Sequence, residues 1–276
     1  VTETYLPAQP IWCAGCGHFG VQSTLSAALR EVGAPSEEVL ILAGIGCSGT
    51  VQNNLGTYGY HALHGRVLPT ATGVWMADPE LTVIATGGDG DGYAIGMGHL
   101  IHSFRRNPSF TYVVMNNGIY GLTKGQDSPT RDGTPSIDAV LLGLSVVETT
   151  FIARGFTRWP DQLHHLTVAA LAHARAGHGF AFLEVLSPCV TYNDTYPQWE
   201  AEIHDLDVDE TYDASDRAGA FDRAIGLQAQ GRIPVGLIYR SVPAIIAGDL
   251  PNPSTSDLLP ATHLADYREL LHRYRA

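Results

Sequence analysis

The sequence predicts an α/β fold, a mostly parallel sheet flanked by helices, from three observations. Four short runs, Val39 to Ala43, Leu81 to Thr86 (LTVIAT), Phe110 to Met115 (FTYVVM) and Phe180 to Leu186 (FAFLEVL), have the length and apolar composition of buried strands. Longer segments of helical character separate them, as crossovers between parallel strands must. Glycine-rich motifs then follow the carboxyl ends of these runs, the edge where open α/β sheets bind ligands.

Taken in chain order, Val21, Leu25, Ala28, Leu29 and Val32 recur at helical spacing, and Gly33 closes that helix as a left-handed cap. The strand Val39 to Ala43 follows. Between the second and third strands, Tyr93 to Arg106 reads as a crossover helix in which Gly96 and Gly98 each cost about 1 kcal/mol relative to alanine. Close packing on another chain or a ligand would offset that cost. Pro160 suits the first turn of a helix that ends before Gly177 and feeds the strand Phe180 to Leu186. After Trp199 the pattern loosens, with Ala218 to Ala229 helical, Ile233 to Tyr239 strand-like and Ala265 to Tyr274 a terminal helix, the last two separated by Pro243, Pro251, Pro253 and Pro260.

A chain of 276 residues and 29.6 kDa accommodates one large α/β core with a tail. No apolar run reaches 18 residues and the amino end lacks a basic-then-apolar signal, so a soluble, cytoplasmic protein without membrane contact is expected. A formal charge of −12 and a pI near 5.3 argue against nucleic-acid binding.

Two constellations carry chemistry. Gly88-Asp89-Gly90 ends the second strand, and Asn116-Asn117 ends the third. Magnesium takes oxygen ligands from a carboxylate, neutral oxygens, water and phosphate, so one Asp, one Asn and a main-chain carbonyl suit a magnesium diphosphate cradle. Gly88, Gly90 and Gly92 let the backbone approach a diphosphate, and the helix opening near Asp91 aims N–H groups at it. The second constellation is the full cysteine set, Cys13, Cys16, Cys47 and Cys189, each near the end of an element. If those ends share one edge, four thiolates converge, and spacing alone leaves a 4Fe-4S cluster and a structural zinc equally open. Disulfides and buried free thiols are the plainer alternatives.

Other residues are more ambiguous. His61, His64 and Arg66 cluster, and an imidazole there moves protons near neutral pH or simply packs. Lys124, in Tyr120-Gly121-Leu122-Thr123-Lys124-Gly125-Gln126, faces either a ligand anion or solvent. Ser48 and Thr50 bond either a ligand or nearby backbone. The acidic stretch Glu200 to Asp216 reads as a solvated loop.

The motifs W-C-x-G-C-G, G-I-G-C-S, H-G-R-x-x-P-x-A-T-G, G-D-G-D, N-N-x-x-Y-G-L-T-x-G-Q and P-C-V-T-x-N, in this order between Pro10 and Trp199, resemble the beta subunit of 2-oxoacid:ferredoxin oxidoreductases. The resemblance implies a thiamin diphosphate-binding fold of the diphosphate-binding type. Residues 1–199 would bind thiamin diphosphate, Mg2+ and one 4Fe-4S cluster, and residues 200–276 would form an extension packing on the domain and a partner subunit. Cys13, Cys16, Cys47 and Cys189 would hold the cluster. Asp89, Asn117 and the Ile119 carbonyl would hold the metal. Coenzyme contacts are expected from Gly46, Ser48, His64, Gly88, Asp89, Gly90, Asp91, Asn117, Ile119, Gly121, Leu122 and Thr123, with His64 and Arg66 catalytic.

The implied activity is oxidative decarboxylation of a 2-oxoacid with coenzyme A to an acyl-CoA and carbon dioxide, electrons leaving through the cluster to ferredoxin, and carboxylation in reverse. Ser128-Pro129-Thr130 after Gln126 resembles members acting on 2-oxoglutarate. Some relatives place a basic residue where Thr50 stands. An alpha subunit would supply the glutamate that activates the coenzyme and the coenzyme A site, in a dimer of alpha–beta pairs. The alternatives are a non-redox thiamin diphosphate decarboxylase or synthase with structural zinc, and an electron-transfer subunit that has lost the coenzyme.

Overall fold

The computed structural model describes residues 10–131, 133 and 136–242; the expected terminal helix and the prolines from 243 onward lie outside them. In chain order the elements are α1 (His18–Glu31), β1 (Val39–Ala43), β2 (Tyr58–His61), α2 (Val67–Ala77), β3 (Thr82–Gly88), α3 (Met97–Arg106), β4 (Thr111–Asn116), β5 (Ile119–Tyr120) and β6 (Gln126–Asp127). There follow α4 (Ala139–Leu144), β7 (Phe151–Phe156), α5 (Pro160–Arg175), β8 (Ala181–Leu186), α6 (Tyr196–Glu202), β9 (Ile203–Asp205), α7 (Arg217–Gln228) and β10 (Ile233–Arg240).

Eight strands form one sheet in the order β2-β1-β3-β4-β8-β7-β10-β9. From β2 through β7 neighbouring strands run parallel, while β10 lies antiparallel on β7 and β9 runs parallel to β10. The parallel strands other than the exposed edge strand β2 are apolar nearly throughout because both faces are covered. Val39, Ile41 and Ala43 point with Val113 and Met115 towards α1 and α5. The alternate residues Leu42, Val83, Ala85, Tyr112 and Val114 point towards α2, α3 and α4. On that second face Phe104 meets Phe180 and Phe182 edge to face at 5.4 and 5.3 Å, each ring contributing roughly 1.5–3 kcal/mol by burial.

Glycine sets the ends of several elements. Gly33 ends α1 at φ +62°, the left-handed cap that its position predicts. The expected helix over Tyr93 to Arg106 is divided: a π-helical turn, Gly90–Ile95, precedes α3. Gly96 N–H bonds the Asp91 carbonyl five residues back at 3.1 Å, and a Cβ at Gly96 would sit 2.5 Å from that oxygen. Strand β3 runs on to Gly88 because Gly87 and Gly88 pair with Val114 and Met115.

The stretch from residue 200 to 242 is more ordered than the solvated loop expected of its first part, Glu200 to Asp216. Its β9 and β10 complete the sheet, and its carboxylates serve local turns: Asp209 and Asp213 accept from the N–H groups of Thr211 and Ser215, and Asp216 caps α7 through Ala218. Two charges lie inside the sheet itself, Arg154 of β7 directly opposite Glu184 of β8.

His173 of α5 is fully buried, with Nε2 on Thr150 Oγ1 at 3.0 Å and no partner for Nδ1 among the described residues. Burial above all, then His178 and Arg240, holds its pKa down at about 3. The folded ring therefore stays neutral while the unfolded one protonates below about pH 6.5, so the stability it supports above that value is lost as pH falls. Denaturant unfolding between pH 6 and 4 should show the parent losing roughly 1.4 kcal/mol more per pH unit than His173→Gln.

Candidate functional site

Strands β3 and β4 end side by side, with Gly88 paired to Met115, so Asp89 and the Asn116-Asn117 pair emerge at one edge. Asp89 is 1% exposed. Its Oδ2 accepts from the hydroxyls of Ser128 and of Thr130, the latter at 2.6 Å, and its Oδ1 accepts from Asn117 N–H at 3.3 Å. Burial pushes its carboxyl above the usual range despite those donors. A buried carboxylate with no cationic partner among the described residues, on a cavity wall, is a site that a bound cation would relieve. The Asn117 side-chain oxygen and the Ile119 N–H meet at 3.1 Å, which folds the turn tightly beside Asp89.

Asp91 has a different task. Its Oδ1 accepts from Ile45 N–H, Gly65 N–H and His64 Nδ1, each at 2.9 Å, joining the loop after β1, the loop before α2 and the turn after β3. The Gly44 backbone lies so close that a Cβ there would stand 2.1 Å from Asp91 Oδ2. Because His64 donates through Nδ1 to a carboxylate, its Nε2 is the nitrogen left for a ligand.

All the positions expected to meet the coenzyme, Gly46 through Thr123, line one cavity of about 320 Å3. Gly46 takes φ +120°, a conformation that favours glycine, at the floor of this space. One expectation is corrected. Arg66 does not line the cavity; its exposed guanidinium points outward to the Ile95 carbonyl and His99 Nε2, at 3.4 and 3.2 Å. Lys124 is also outside it, exposed and held at φ +75° in the turn between β5 and β6. Thr50 bonds the Cys47 carbonyl at 2.9 Å, the local backbone role.

All four cysteines are free and line a second cavity, of about 110 Å3. Cys13 and Cys16 sit on a turn closed by Cys16 N–H on the Cys13 carbonyl at 3.0 Å. Gly17 presses this turn onto the loop of Cys189, its N–H on the Pro188 carbonyl at 3.1 Å, and a Cβ there would stand 2.7 Å from the Ser187 carbonyl carbon. Trp12 Nε1 ties the same turn to the Cys47 carbonyl at 2.8 Å. The Cys16 thiol is raised to about 11, chiefly by burial, with the His18 backbone lowering it and the other three thiols raising it. Cys47 is raised by burial and then by Cys189 and Cys13. Among the described residues no three His, Cys, Asp or Glu groups gather closely enough to hold a single metal ion.

The two cavities share a wall of His18, Cys47, Asn117, Gly121 and Leu122. His18 was not singled out in the sequence, although its place directly after the C-x-x-C turn, at the start of α1, marks it. It is 1% exposed, with Nδ1 and Ser187 Oγ 2.6 Å apart, and burial depresses its pKa to about 4, which keeps the ring neutral.

Residues 42–185 match the family of thiamine pyrophosphate enzymes, C-terminal TPP binding domain, and residues 189–245 match the C-terminal part of the pyruvate ferredoxin oxidoreductase beta subunit. The chain is 36% identical over 252 residues to the 2-oxoacid:ferredoxin oxidoreductase subunit beta of Saccharolobus solfataricus, covering 83% of this chain and 81% of that one. It is 39% identical over 194 residues to the 2-oxoglutarate oxidoreductase subunit KorB of Mycobacterium tuberculosis, covering 66% and 51%. A solved structure of 2-oxoglutarate:ferredoxin oxidoreductase from Magnetococcus marinus, with 2-oxoglutarate, coenzyme A and succinyl-CoA bound, superposes with a TM-score of 0.81 at 33% identity, covering 98% of this chain and 94% of that one.

The packing of Gly44 on Asp91 makes one substitution decisive. Gly44→Ala should displace the carboxylate that joins three loops, at a cost of roughly 1–3 kcal/mol for overpacking, read as a lowered midpoint in thermal unfolding.

Proposed function

The chain belongs to the family of 2-oxoacid:ferredoxin oxidoreductase beta subunits, and from that membership we propose that it decarboxylates 2-oxoglutarate oxidatively, with coenzyme A as acyl acceptor and ferredoxin as electron acceptor. The observation that carries this reading is the wall shared by the 320 Å3 and 110 Å3 cavities, which sets a coenzyme space against a four-thiol space. Thiamin diphosphate supplies the electron sink for breaking the bond between keto carbon and carboxylate, and a 4Fe-4S cluster supplies an exit for single electrons.

The chain's own residues divide the remaining work. Asp89, Asn117 and the Ile119 carbonyl would hold Mg2+, the one charged ligand being the buried carboxylate whose raised pKa a cation relieves. Gly88 and Gly90 line the cavity and would let a diphosphate approach their backbone; they also let Ser48 and Tyr120 pack close, since Cβ atoms there would meet Ser48 Oγ at 3.2 Å and the Tyr120 ring at 2.4 Å. His64, fixed through Nδ1 by Asp91, would accept or hold a proton at Nε2. Asp91 lies on the wall chiefly as its anchor. Cys13, Cys16, Cys47 and Cys189 would hold the cluster; a cube with iron at four corners suits thiols spread around a space better than one zinc tetrahedron does.

The KorB relative and the Magnetococcus marinus structure support 2-oxoglutarate as substrate. Ser128 and Thr130 do not add to that support as substrate contacts, because both hydroxyls are spent on Asp89. An alpha subunit is implied by the family and would bring the activating glutamate. Carboxylation in reverse is open to the same site when the electron donor is sufficiently reducing. Among the described residues no helix is long and apolar enough to cross a membrane.

The test is the chain purified with its alpha partner. Reduction of a viologen that depends on both 2-oxoglutarate and coenzyme A is expected, and its absence with every 2-oxoacid would refute the proposal. Colourless protein carrying stoichiometric zinc would turn the reading to a non-redox thiamin enzyme. Two variants should separate the sites: Asp89→Ala loses bound coenzyme but keeps the visible iron–sulfur absorption, while Cys47→Ser loses the absorption.

A further inference from the structure

Behind Asp89 a buried polar network runs into the middle of the sheet. Glu184, 1% exposed on β8, accepts from three buried groups: Arg154 Nε on Oε2, and Tyr93 OH at 2.8 Å and Asn116 Nδ2 at 3.1 Å on Oε1. Arg154 continues through its other nitrogen to Asp138 at 3.0 Å. On its other side Asn116 Oδ1 accepts Gly118 N–H at 3.1 Å and faces Thr130 Oγ1 at 2.9 Å. Thr130 then reaches Asp89 Oδ2 at 2.6 Å.

The amide of Asn116 cannot turn over. A flip would place its oxygen against the Glu184 carboxylate and its NH2 against the Gly118 N–H, replacing two hydrogen bonds by two repulsions. Glu184 thereby dictates that an acceptor faces Thr130. The Thr130 hydroxyl has one proton and three oxygens within reach, Asp89 Oδ2 at 2.6 Å, Asn116 Oδ1 at 2.9 Å and, farther off, Ser128 Oγ at 3.2 Å, so its orientation answers chiefly to the two nearer acceptors. A cation on Asp89 lowers that carboxylate's demand for the proton and favours its delivery to Asn116.

We propose that Glu184 is a positioning residue for the divalent cation, acting through Asn116 and Thr130 on Asp89. The proposal rests on the assignment of Asp89 as a metal ligand. It also gives Asn116, the first member of the Asn pair, a task that its neighbour Asn117 does not share. Outer partners of this kind typically change metal affinity by about 10–100-fold when removed.

The experiment measures Mn2+ affinity, by electron paramagnetic resonance of the free ion, in the complete complex with thiamin diphosphate present. Glu184→Gln, Asn116→Ala and Thr130→Val should each weaken binding by about tenfold. The double variant Glu184→Gln with Thr130→Val should be within twofold of the weaker single, because both cut one relay. Affinity within twofold of the parent in Asn116→Ala, or additive losses in the double variant, would overturn the proposal. Asn116→Ala leaves the Arg154–Glu184 pair intact and decides the matter if Glu184→Gln does not fold. A parent complex that binds no Mn2+ refutes the metal assignment itself, an outcome distinct from unchanged variants of a parent that binds.

Discussion

One carboxylate oxygen holds the site's architecture together. Asp91 Oδ1 takes N–H donors from Ile45, Gly65 and the His64 ring, so its own turn after β3 is joined to the loop after β1 and the loop before α2, three segments far apart in sequence. Each loop carries a piece of the cavity: the first leads into Gly46 and Cys47, the second presents His64, and the third presents Asp89 and Gly90. Hydrogen bonds to a buried charged acceptor are worth about 1.5–3 kcal/mol each, so the closure of three loops depends on a group only two residues from the proposed metal ligand. The small residues around it follow from this constraint. Gly44 and Gly87 leave room for Asp91 Oδ2, which a Cβ would approach to 2.1 and 3.1 Å.

The sheet explains why so much polarity gathers at one place without unfolding it. Strands β1, β3, β4 and β8 are parallel, so their carboxyl ends lie together, and the residues just beyond those ends supply both cavities. The chain leaves β1 towards the edge strand β2 and returns to β3, which opens a crevice above the point where direction reverses. Inside the sheet the Arg154–Glu184 pair interrupts otherwise apolar strands. Two adjacent central charges are costly to desolvate, and the network that satisfies them ends at Asp89.

Much of this was legible in the sequence where spacing and residue type constrain each other. The strand Val39–Ala43 and the helix opening at Pro160 agree with their elements, because a short apolar run and a proline at the first turn leave little choice. The coenzyme positions gather on one wall because each follows the carboxyl end of a strand or flanks a glycine turn. What the sequence hid was direction and long-range pairing. Arg66 lies two positions after the cavity-lining His64, yet its guanidinium points outward onto His99. The edge strand β2, with Tyr58 and Tyr60 exposed, has no apolar run to announce it. Residues after 199 read as loose because β9 is only three residues long and the carboxylates around it bond within local turns. Asn116, Thr130 and Glu184 were invisible as a set, since nothing local marks residues that meet through hydrogen bonds across two strands and a loop.

His18 shows how the two proposed guests can coexist. A cation site and a four-thiol site differ in what they demand: oxygen and positive charge on one side, sulfur and tolerance of negative charge on the other. A charged residue on the common wall would favour one at the other's expense. The imidazole there is neutral, because burial holds its pKa at about 4, and it is fixed by Ser187 at 2.6 Å and by the edge-on Trp12 ring at 5.5 Å. Gly121 thins the same wall, its Cα near enough to Cys47 that a Cβ would approach Sγ to 3.3 Å. Apart from the proposed cluster ligand Cys47, the partition is thus uncharged and, at Gly121, without a side chain, so the two spaces stay chemically separate while remaining in contact.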